Sequence, residues 1–326
     1  MKYVRVGSSG LKVSAFALGG AWFGDPKWKN WALPEADCQP ILQRAFDLGV
    51  NMIDTADQYS NGGSEEIIGN LWPQMLPRDA IILATKAFHP TGPSVNERGL
   101  SRKHLMSAVD GSLRRLKTDY IDLYQIHRTD ESTPIEETLD AMNDIVRAGK
   151  ARYLGVSNAM AWQFMKILAI CEKHGWARPI AVQNHYNLAY REEEREMLSL
   201  CRSEGIGHFS WSPLGRGFLA ATMARDGQKA TVRAASDTTA AAYFNEPHDL
   251  DVLDRVVACA ARHGRKPAQI ALAWMIQRAN GSIPVLGASK LMHVEDAVGA
   301  LDIQLSAEDI ASLEAPYKPH RVLLHL

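Results

Sequence analysis

The segment NMIDTADQYS (residues 51–60) begins like a buried strand and ends in the polar residues Asp54, Asp57 and Tyr59. Short apolar runs of the same kind recur roughly thirty residues apart, which is the length of one strand–helix unit. Five such runs follow the first: AIILATK (80–86), YIDLYQIH (120–127), ARYLGVSN (151–158), PIAVQNHY (179–186) and IGHFSW (206–211). This spacing predicts strands that alternate with helices along the chain.

The segments between these runs have helical periodicity with one apolar face. In KHLMSAVDGSLRRL (103–116) that face holds Leu105, Met106, Val109, Leu113 and Leu116, and in the next unit Ile135, Leu139, Met142, Ile145 and Val146. An early run, SAFALGG (14–20), and a late one, SIPVLGA (282–288), bring the predicted strands to eight. Eight strand–helix units predict an α/β fold of the (β/α)8 TIM barrel type.

Before the barrel, YVRVGSSGLKVS (3–14) predicts an N-terminal β-hairpin that turns at Ser8–Gly10. We expect residues 1–326 to form one barrel domain. Long loops are expected at the C-terminal face of the strands: residues 21–36, 87–101 and 213–247. The main alternative is a doubly wound sheet that binds a dinucleotide, but LGGAWFGD (18–25) lacks the G-x-G-x-x-G spacing that this fold requires.

The composition limits the classes of partner. Hydrophobic residues make up 46% of the chain, and the formal net charge of -1 gives no general attraction to nucleic acid or anionic membranes. No segment approaches the ~20 apolar residues of a membrane span, and the N-terminus lacks an apolar core of signal-peptide length. We therefore expect a cytoplasmic protein with a small-molecule partner and with neither nucleic acid nor membrane as a partner. The sequence is also compatible with a homo-oligomer.

The cysteines are widely separated and form no CxxC pair, which predicts reduced structural thiols rather than a metal site. They are Cys38, Cys171, Cys201 and Cys259.

Polar side chains stand at the C-terminal ends of six predicted strands. They are Asp54, Lys86, His127, Ser157 with Asn158, Gln183 and Trp211. In a TIM barrel these strand ends meet on the face that carries the active site. Tyr59 would enter the same site from the loop after Asp54, whereas Asp57 is interpreted as an ordinary loop residue.

Four of these side chains suit the reduction of a carbonyl group. A tyrosine with an ordinary pKa of ~10 is a weak acid at neutral pH, and a nearby ammonium group lowers that pKa. We expect Lys86 to act in this way on Tyr59, with Asp54 as the counter-ion of the lysine. His127 adds a hydrogen-bond donor, and the set matches the alkoxide that develops during reduction. Because no side chain donates hydride, a cofactor must supply it.

The motifs DTADQY (54–59), ATKAF (84–88) and YQIHR (124–128) resemble those of the aldo-keto reductase superfamily, and the resemblance extends over nearly the whole chain. It implies reversible, NADPH-dependent reduction of aldehydes or ketones to alcohols, with tyrosine as the general acid. It also implies the family's catalytic tetrad at Asp54, Tyr59, Lys86 and His127.

Three further segments resemble cofactor-binding parts of the family: GVSN (155–158), VQNHYN (182–187) and SPLGRG (212–217). An aromatic surface suits a flat ring, and free backbone N–H groups suit a diphosphate. The implied contacts are Ser157, Asn158 and Gln183 for the nicotinamide carboxamide, Trp211 for the ring face, Ser212, Pro213, Leu214, Gly215 and Arg216 for the pyrophosphate, and Gly20, Ala21, Trp22 and Asp54 nearby.

VLGASKLMHVEDAVGAL (285–301) resembles the adenosine-side segment of the family. The implied contacts are Gly287, Ser289, Lys290, His293 and Asp296. Many members have Arg, Gln, Glu and Asn where this chain has Lys290, His293, Asp296 and Ala297. Lys290 lies near a predicted helix N-terminus and still suits the 2′-phosphate of NADPH, so we expect NADP in preference to NAD.

Finer similarity points to the branch of aryl-alcohol dehydrogenase-like and YajO-like reductases, which acts broadly on aldehydes and ketones. It rests on NERGLSRKH (96–104), YREEERE (190–196) and LEAPYKPH (313–320). Candidate substrate contacts in an apolar cleft are Trp22, Phe23 and Phe88. Arg225, Lys229 and Arg233 in the long loop are further candidate cofactor contacts.

Two other functions stay open at the level of sequence. His89, His185 and His208 raise the alternative of a metal-dependent barrel hydrolase, although Lys86 would place a cation at its metal. The second alternative is an NADP-binding regulatory or redox-sensing subunit that resembles the potassium-channel β proteins. An intact His127 favours the enzyme.

Overall fold

The barrel is built from parallel strands that follow one another in sequence order, and the last strand pairs with the first. The computed structural model describes residues 1–222, 231–237, 243–244, 246–278 and 282–323, so the candidate contacts Arg225 and Lys229 lie outside the described residues. The eight strands are β3 (Ala17–Gly19), β4 (Met52–Asp54), β5 (Ile82–Ala87), β6 (Ile121–Ile126), β7 (Ala151–Ser157), β8 (Ala181–His185), β9 (Gly207–Trp211) and β10 (Ile283–Gly287). The predicted (β/α)8 barrel is therefore confirmed, and each strand overlaps the run that predicted it.

The predicted hairpin is also present and covers the N-terminal end of the barrel. Its strands are β1 (Tyr3–Arg5) and β2 (Lys12–Ser14), which pair antiparallel. The Ser8 N–H donates to the Gly205 carbonyl just before β9. Gly7 has a φ of +57°, and a Cβ there would lie 2.2 Å from the same carbonyl oxygen, so only glycine fits. Apolar side chains of the hairpin and strands fill the barrel interior: Val6, Val13, Ala17, Met52, Ile82, Leu123, Phe209 and Ile283.

Helices surround the barrel, and each buries side chains against the strands or against neighbouring helices and loops. Those of the described chain are α1 (Glu35–Asp47), α2 (Gly63–Leu71), α3 (Arg102–Leu116), α4 (Ile135–Arg147), α5 (Ala161–His174), α6 (Met197–Glu204), α7 (Val232–Ser236), α8 (Pro247–His263), α9 (Pro267–Arg278), α10 (Leu291–Ala300) and α11 (Ala307–Glu314). The predicted apolar face of α3 is buried at Leu105, Val109 and Leu116, and that of α4 at Leu139, Met142 and Ile145. Period-3.6 patterning therefore located both helices.

The segment 214–247 is not one irregular loop, in contrast to the prediction. A 3₁₀ helix spans Gly215–Ala220, and α7 lies between the loop and α8. The Thr231 side chain accepts a hydrogen bond from the Ala234 N–H at 3.1 Å and so caps α7. A single N-cap threonine in a polar segment is a weak signal, and the sequence pattern did not reveal this helix.

The four cysteines are free and buried, as predicted. Burial raises the pKa of Cys38 and Cys201 to about 12 and that of Cys171 and Cys259 to about 11. All four thiols therefore stay protonated at neutral pH. Among the described helices, none combines the length and apolar character that crossing a membrane requires.

Candidate active site

The predicted polar residues meet at the C-terminal face of the barrel. Asp54 ends β4, Lys86 is the penultimate residue of β5, and His127 directly follows β6. Tyr59 reaches over them from the loop after β4. Its ring centroid lies 5.5 Å from Lys86 Nζ and 5.8 Å from the His127 ring centroid. The structure therefore brings these four side chains into one cluster.

Lys86 and Asp54 form a buried ion pair at the base of this cluster. Lys86 Nζ lies 2.6 Å from Asp54 Oδ2 and 2.8 Å from the Thr55 carbonyl oxygen. Burial alone would lower the pKa of Lys86, but the adjacent Asp54 carboxylate outweighs it and the pKa is raised. Lys86 is therefore a permanent cation at neutral pH.

Two glutamine amides hold the other oxygen of Asp54. Gln125 Nε2 donates to Oδ1 at 3.0 Å and Gln183 Nε2 donates to it at 2.9 Å. Gln125 was not among the site residues predicted from the sequence. Because it lies on β6 two positions before His127, it has the orientation expected from a period of two, and this spacing could have revealed it. The carboxylate thus has three donors that fix its position.

The pKa of Tyr59 is raised, which is opposite to the direction expected from the sequence. Burial raises it more than the Lys86 cation lowers it, and the Asp54 charge adds to the increase. The prediction from the sequence considered the charge of Lys86 but not the loss of solvent around the Tyr59 side chain. The phenol is consequently protonated at neutral pH, with a hydroxyl that can donate.

His127 is neutral in this site. Burial and then the Lys86 cation hold its pKa well below the ordinary value. The His89 ring lies 4.9 Å from the His127 ring, and Phe88 lies 5.1 Å from His89, so the three rings form one wall beside Tyr59. A neutral imidazole is a hydrogen-bond donor without being a strong acid.

Backbone geometry fixes the position of Tyr59. The next residues, Ser60 and Asn61, both have φ of 53°, and Gly62 has φ of 91°. Left-handed backbone at non-glycine residues is unfavourable and concentrates at functional sites. The Ser60 hydroxyl accepts a hydrogen bond from the Asp25 N–H at 2.8 Å, which holds this turn against the loop after β3.

Asp57 lies in the loop after β4, as predicted, and its side chain is fully buried. Its N–H donates to the Lys86 carbonyl, while neither carboxyl oxygen has a hydrogen-bond partner among the described residues. Burial, followed by the nearby Glu65 charge, raises its pKa well above the ordinary value. Burial therefore disfavours the charged form of the Asp57 carboxyl group. The periodicity of the sequence did not indicate that the Asp57 side chain is buried.

Side chains of the next three strands are joined by hydrogen bonds. The Ser157 hydroxyl donates to the Gln183 carbonyl at 2.8 Å, and Asn158 Nδ2 donates to the His127 carbonyl at 3.1 Å. Trp211 Nε1 donates to Asn158 Oδ1 at 3.0 Å. His185 stacks on one face of the Trp211 indole, with ring centroids 4.2 Å apart and planes 8° apart. The predicted nicotinamide contacts therefore lie side by side on a rigid support.

The loop predicted to bind a pyrophosphate contains several residues with positive φ: Ser212, Gly215, Arg216 and Gly217. Arg216 lies in an ion pair, with a guanidinium nitrogen 2.6 Å from Asp237 Oδ2. Arg233 also contacts Asp237, at 3.1 Å, and its guanidinium lies 4.8 Å from the ring centroid of Trp22. These side chains connect the long loop to the loop after β3.

The residues after β3 pack against β10 and the hydrophobic core. Gly20, Ala21 and Trp22 form a 3₁₀ turn, and a Cβ at Gly287 would lie 2.4 Å from Trp22 Nε1, so the indole packs directly on that glycine. Phe23, predicted as a substrate contact, is fully buried in the hydrophobic core. Its contact with a substrate stays a prediction.

The predicted adenosine-side residues surround the start of α10. Lys290 is the exposed N-cap residue and has no acidic partner among the described residues. The Ser289 N–H donates to His293 Nδ1 at 3.2 Å, and Asp296 forms an ion pair with Lys266 at 2.9 Å. Lys290 is therefore the cation of this segment that remains available to an anionic ligand.

The three histidines that suggested a metal-dependent hydrolase each contact a different neighbour. His89 lies beside His127, His185 stacks on Trp211, and His208 Nδ1 lies 2.8 Å from Ser282 Oγ. They share no group with metal-ligand spacing within the described residues.

Comparison with known proteins agrees with this geometry. A sequence profile of the Aldo/keto reductase family matches residues 15–318. The chain belongs to the aldo/keto reductase family. It is 38% identical to versiconal hemiacetal acetate reductase of Aspergillus parasiticus, over 99% of this chain and 98% of that protein. It is 38% identical to an aldo-keto reductase of Metarhizium robertsii (99% and 93% covered) and 39% identical to a Schizosaccharomyces pombe protein provisionally named aryl-alcohol dehydrogenase (97% and 96%).

As an aldo/keto reductase, the protein is an oxidoreductase that acts on carbonyl or alcohol groups of small molecules. The family generally uses nicotinamide cofactors. The relatives include aryl-alcohol dehydrogenase-like members from yeasts and fungi, which confirms the branch that the sequence motifs indicated.

Proposed function

We propose that this aldo/keto reductase reduces aldehydes or ketones to alcohols with NADPH, with Tyr59 as the proton donor. The observation that carries the proposal is the buried Lys86–Asp54 ion pair below the Tyr59 ring. A hydroxyl that is protonated at neutral pH and lies beside a fixed cation is matched to an oxygen that gains negative charge during reduction.

Each residue of the cluster has a separate task in this mechanism. Tyr59 gives its hydroxyl proton to the carbonyl oxygen, and Lys86 stabilises the tyrosinate that remains. Asp54 keeps Lys86 charged and in place, and neutral His127 donates a hydrogen bond that orients the carbonyl. A reduced nicotinamide cofactor supplies the hydride when it is bound. The reverse oxidation uses the same groups, with the tyrosinate as the base.

The described residues fit such a cofactor. The uncovered surface of Trp211 beside Ser157, Asn158 and Gln183 suits a planar carboxamide-bearing ring. At the adenosine end, Lys290 is a free cation at the N-terminus of a ten-residue helix, which suits a phosphate. Arg216 already pairs with Asp237, so a diphosphate would compete with that carboxylate for the guanidinium.

The direct test follows NADPH oxidation with an aromatic aldehyde such as 4-nitrobenzaldehyde. Turnover with isolation of the corresponding alcohol is the expected result. Tight NADPH binding without turnover of aromatic and aliphatic aldehydes or ketones would contradict reductase activity and favour a regulatory NADP-binding subunit.

The cofactor preference is expected to depend on Lys290. Lys290→Ala should raise the KM for NADPH by about tenfold, the equivalent of ~1.4 kcal/mol, because the ammonium no longer contacts the 2′-phosphate. The KM for NADH, which has no phosphate at this position, serves as the internal control and should change little. Equal changes for both cofactors would show that the lysine acts on the fold of the segment instead.

A cation with no assigned part in the reaction stands next to His127 in the chain. Arg128 directly follows His127 and is half-buried, and it pairs with no carboxylate among the described residues. Its positive charge contributes to the lowered pKa values of His89 and His127. We infer that aldehydes with a carboxylate are preferred substrates.

This preference is measured as the ratio of kcat/KM for 4-carboxybenzaldehyde to kcat/KM for its neutral methyl ester. Arg128→Gln should lower the ratio by about tenfold, which corresponds to ~1.4 kcal/mol for a half-buried charge pair. Arg152→Gln, at the opposite end of β7 from Ser157, is the matched control. If the ratio is the same in wild type and Arg128→Gln, Arg128 does not recognise the substrate carboxylate.

A further inference from the structure

Two groups of potential metal ligands lie outside the active site. In each, one atom from each of three side chains lies within 4.8 Å of the others. One group consists of Cys259, His263 and Asp309. The other consists of His248, Asp249 and His320. The two groups differ in whether neighbouring residues satisfy the hydrogen bonds of their polar atoms.

The first group is explained by ordinary interactions. Asp309 accepts hydrogen bonds from Arg262 at 2.6 Å and from the Ser306 N–H at 3.2 Å, and one of its oxygens lies 2.8 Å from His263 Nε2. Arginine and the α11 cap satisfy this carboxylate without any ion. This group therefore needs no metal ion, and its His263 provides a control residue for the experiment.

The second group contains buried polar atoms whose neighbours do not satisfy them. His320 Nε2 lies 2.9 Å from Asp249 Oδ1, and His248 Nε2 lies 3.8 Å from the same oxygen. None of these three atoms makes a hydrogen bond with acceptable direction among the described residues. Buried polar atoms are nearly always hydrogen-bonded, so three such atoms within 4.8 Å of one another require an explanation.

The rest of the group is fixed in place. Asp249 is fully buried, and its other oxygen accepts a hydrogen bond from the Glu246 N–H at 3.0 Å at the start of α8. This bond directs Oδ1 toward the two imidazoles. An ion pair between His320 and Asp249 alone would leave His248 Nε2 buried and unpartnered.

We propose that His248, Asp249 and His320 bind a divalent transition-metal ion, with zinc as the best match. Imidazole nitrogens and a carboxylate oxygen are ligands of zinc at ~2.0–2.1 Å, and ligands of a tetrahedral ion at that distance are about 3.4 Å apart. The distances of 2.9 and 3.8 Å lie on either side of this value. A fourth position remains for water. The sequence could not indicate this site, because His320 is far from the other two residues along the chain.

The proposed ion would join the C-terminal tail to the helix that follows the long loop. The tail is already attached beside β8: the His320 N–H donates to Glu192 at 2.8 Å, and the Leu323 N–H donates to the Tyr190 hydroxyl at 3.1 Å. Tyr190 stacks on His185, which in turn supports Trp211. The ion therefore has a structural role, since it holds the elements behind the Trp211 indole together.

The test uses the full chain after removal of metals with a chelator. Zinc chloride is added, excess zinc is removed by gel filtration, and bound zinc is measured by elemental analysis. Wild type is expected to retain one zinc per chain and to unfold at a higher temperature with zinc than without it. His248→Gln should weaken zinc binding about tenfold or more, since it removes one ligand and leaves the Asp249–His320 pair intact. The matched control His263→Gln should bind zinc as wild type does.

Several outcomes would overturn the proposal. They are less than one zinc retained by wild type, unchanged binding by His248→Gln, or equal loss in His248→Gln and His263→Gln. Cobalt(II) bound to wild type gives a readout that needs no variant: the intense visible absorption of a four-coordinate ion with nitrogen ligands supports the site. The weak spectrum of hydrated cobalt contradicts it. None of these measurements depends on carbonyl reduction.

Discussion

Tyr59→Phe is expected to lower kcat for carbonyl reduction by about 10²–10⁴, the range for removal of a positioned general acid. The substitution keeps the aromatic ring and removes only the hydroxyl. The ring contacts with Lys86 and His127 should therefore persist, and the substrate and cofactor should bind nearly as before. The loss is specific to the transition state, where the carbonyl oxygen needs a proton.

The measurement compares kcat, KM and cofactor binding for wild type and Tyr59→Phe, with Tyr153→Phe as a control that removes a hydroxyl from the body of β7. A lower kcat with KM and cofactor affinity nearly unchanged supports the assignment. Turnover by Tyr59→Phe within a few-fold of wild type would contradict it.

The pH dependence provides a second check on the same residue. Because burial raises the pKa of Tyr59, its hydroxyl stays protonated at and above the ordinary tyrosine value of ~10. The rate of reduction should therefore show no decrease between pH 7 and 9 that arises from Tyr59. A tyrosine with the lowered pKa expected from the sequence would lose its proton in that range, and the rate would fall as the pH rises.

The position of Tyr59 could be predicted from the sequence, whereas its pKa could not. Strand periodicity placed Asp54 and Lys86 at adjacent strand ends, and barrel topology then required them to converge. The pKa depends on how much solvent the hydroxyl loses, which is a property of the assembled loops. The same limitation explains Asp57 and Phe23: both belong to loops after strands, and both are buried by residues far away in sequence.

The hydrogen bonds and ion pairs that hold the site residues in place were predicted only in part. Gln183 was identified from its place near a strand end, but its hydrogen bond to Asp54 and the matching one from Gln125 depend on closure of the barrel. Arg216 was predicted as a cofactor contact, and its ion pair with Asp237 joins residues on opposite sides of the long loop. Local patterns locate side chains on elements, while pairings between elements need the three-dimensional fold.

Lys86→Met is expected to lower the free energy of unfolding by about 3–5 kcal/mol, because it leaves the buried Asp54 carboxylate without its cation. The two glutamine amides remain as donors, but they carry no charge. Urea unfolding at pH 7 measures the effect. The raised pKa of Lys86 means that the pair is fully charged at this pH, and its stabilisation is lost only as the pH rises above the ordinary lysine value of ~10.4.

The double variant Asp54→Asn with Lys86→Met separates the structural effect from the catalytic one. It removes both charges, so most of the lost stability should return, since two neutral groups need no compensation in a buried site. Reductase activity should not return, because Tyr59 still lacks the cation that stabilises the tyrosinate. Recovery of both stability and turnover would mean that Lys86 serves only the fold. Recovery of neither would mean that the methionine disrupts the barrel for a reason other than charge.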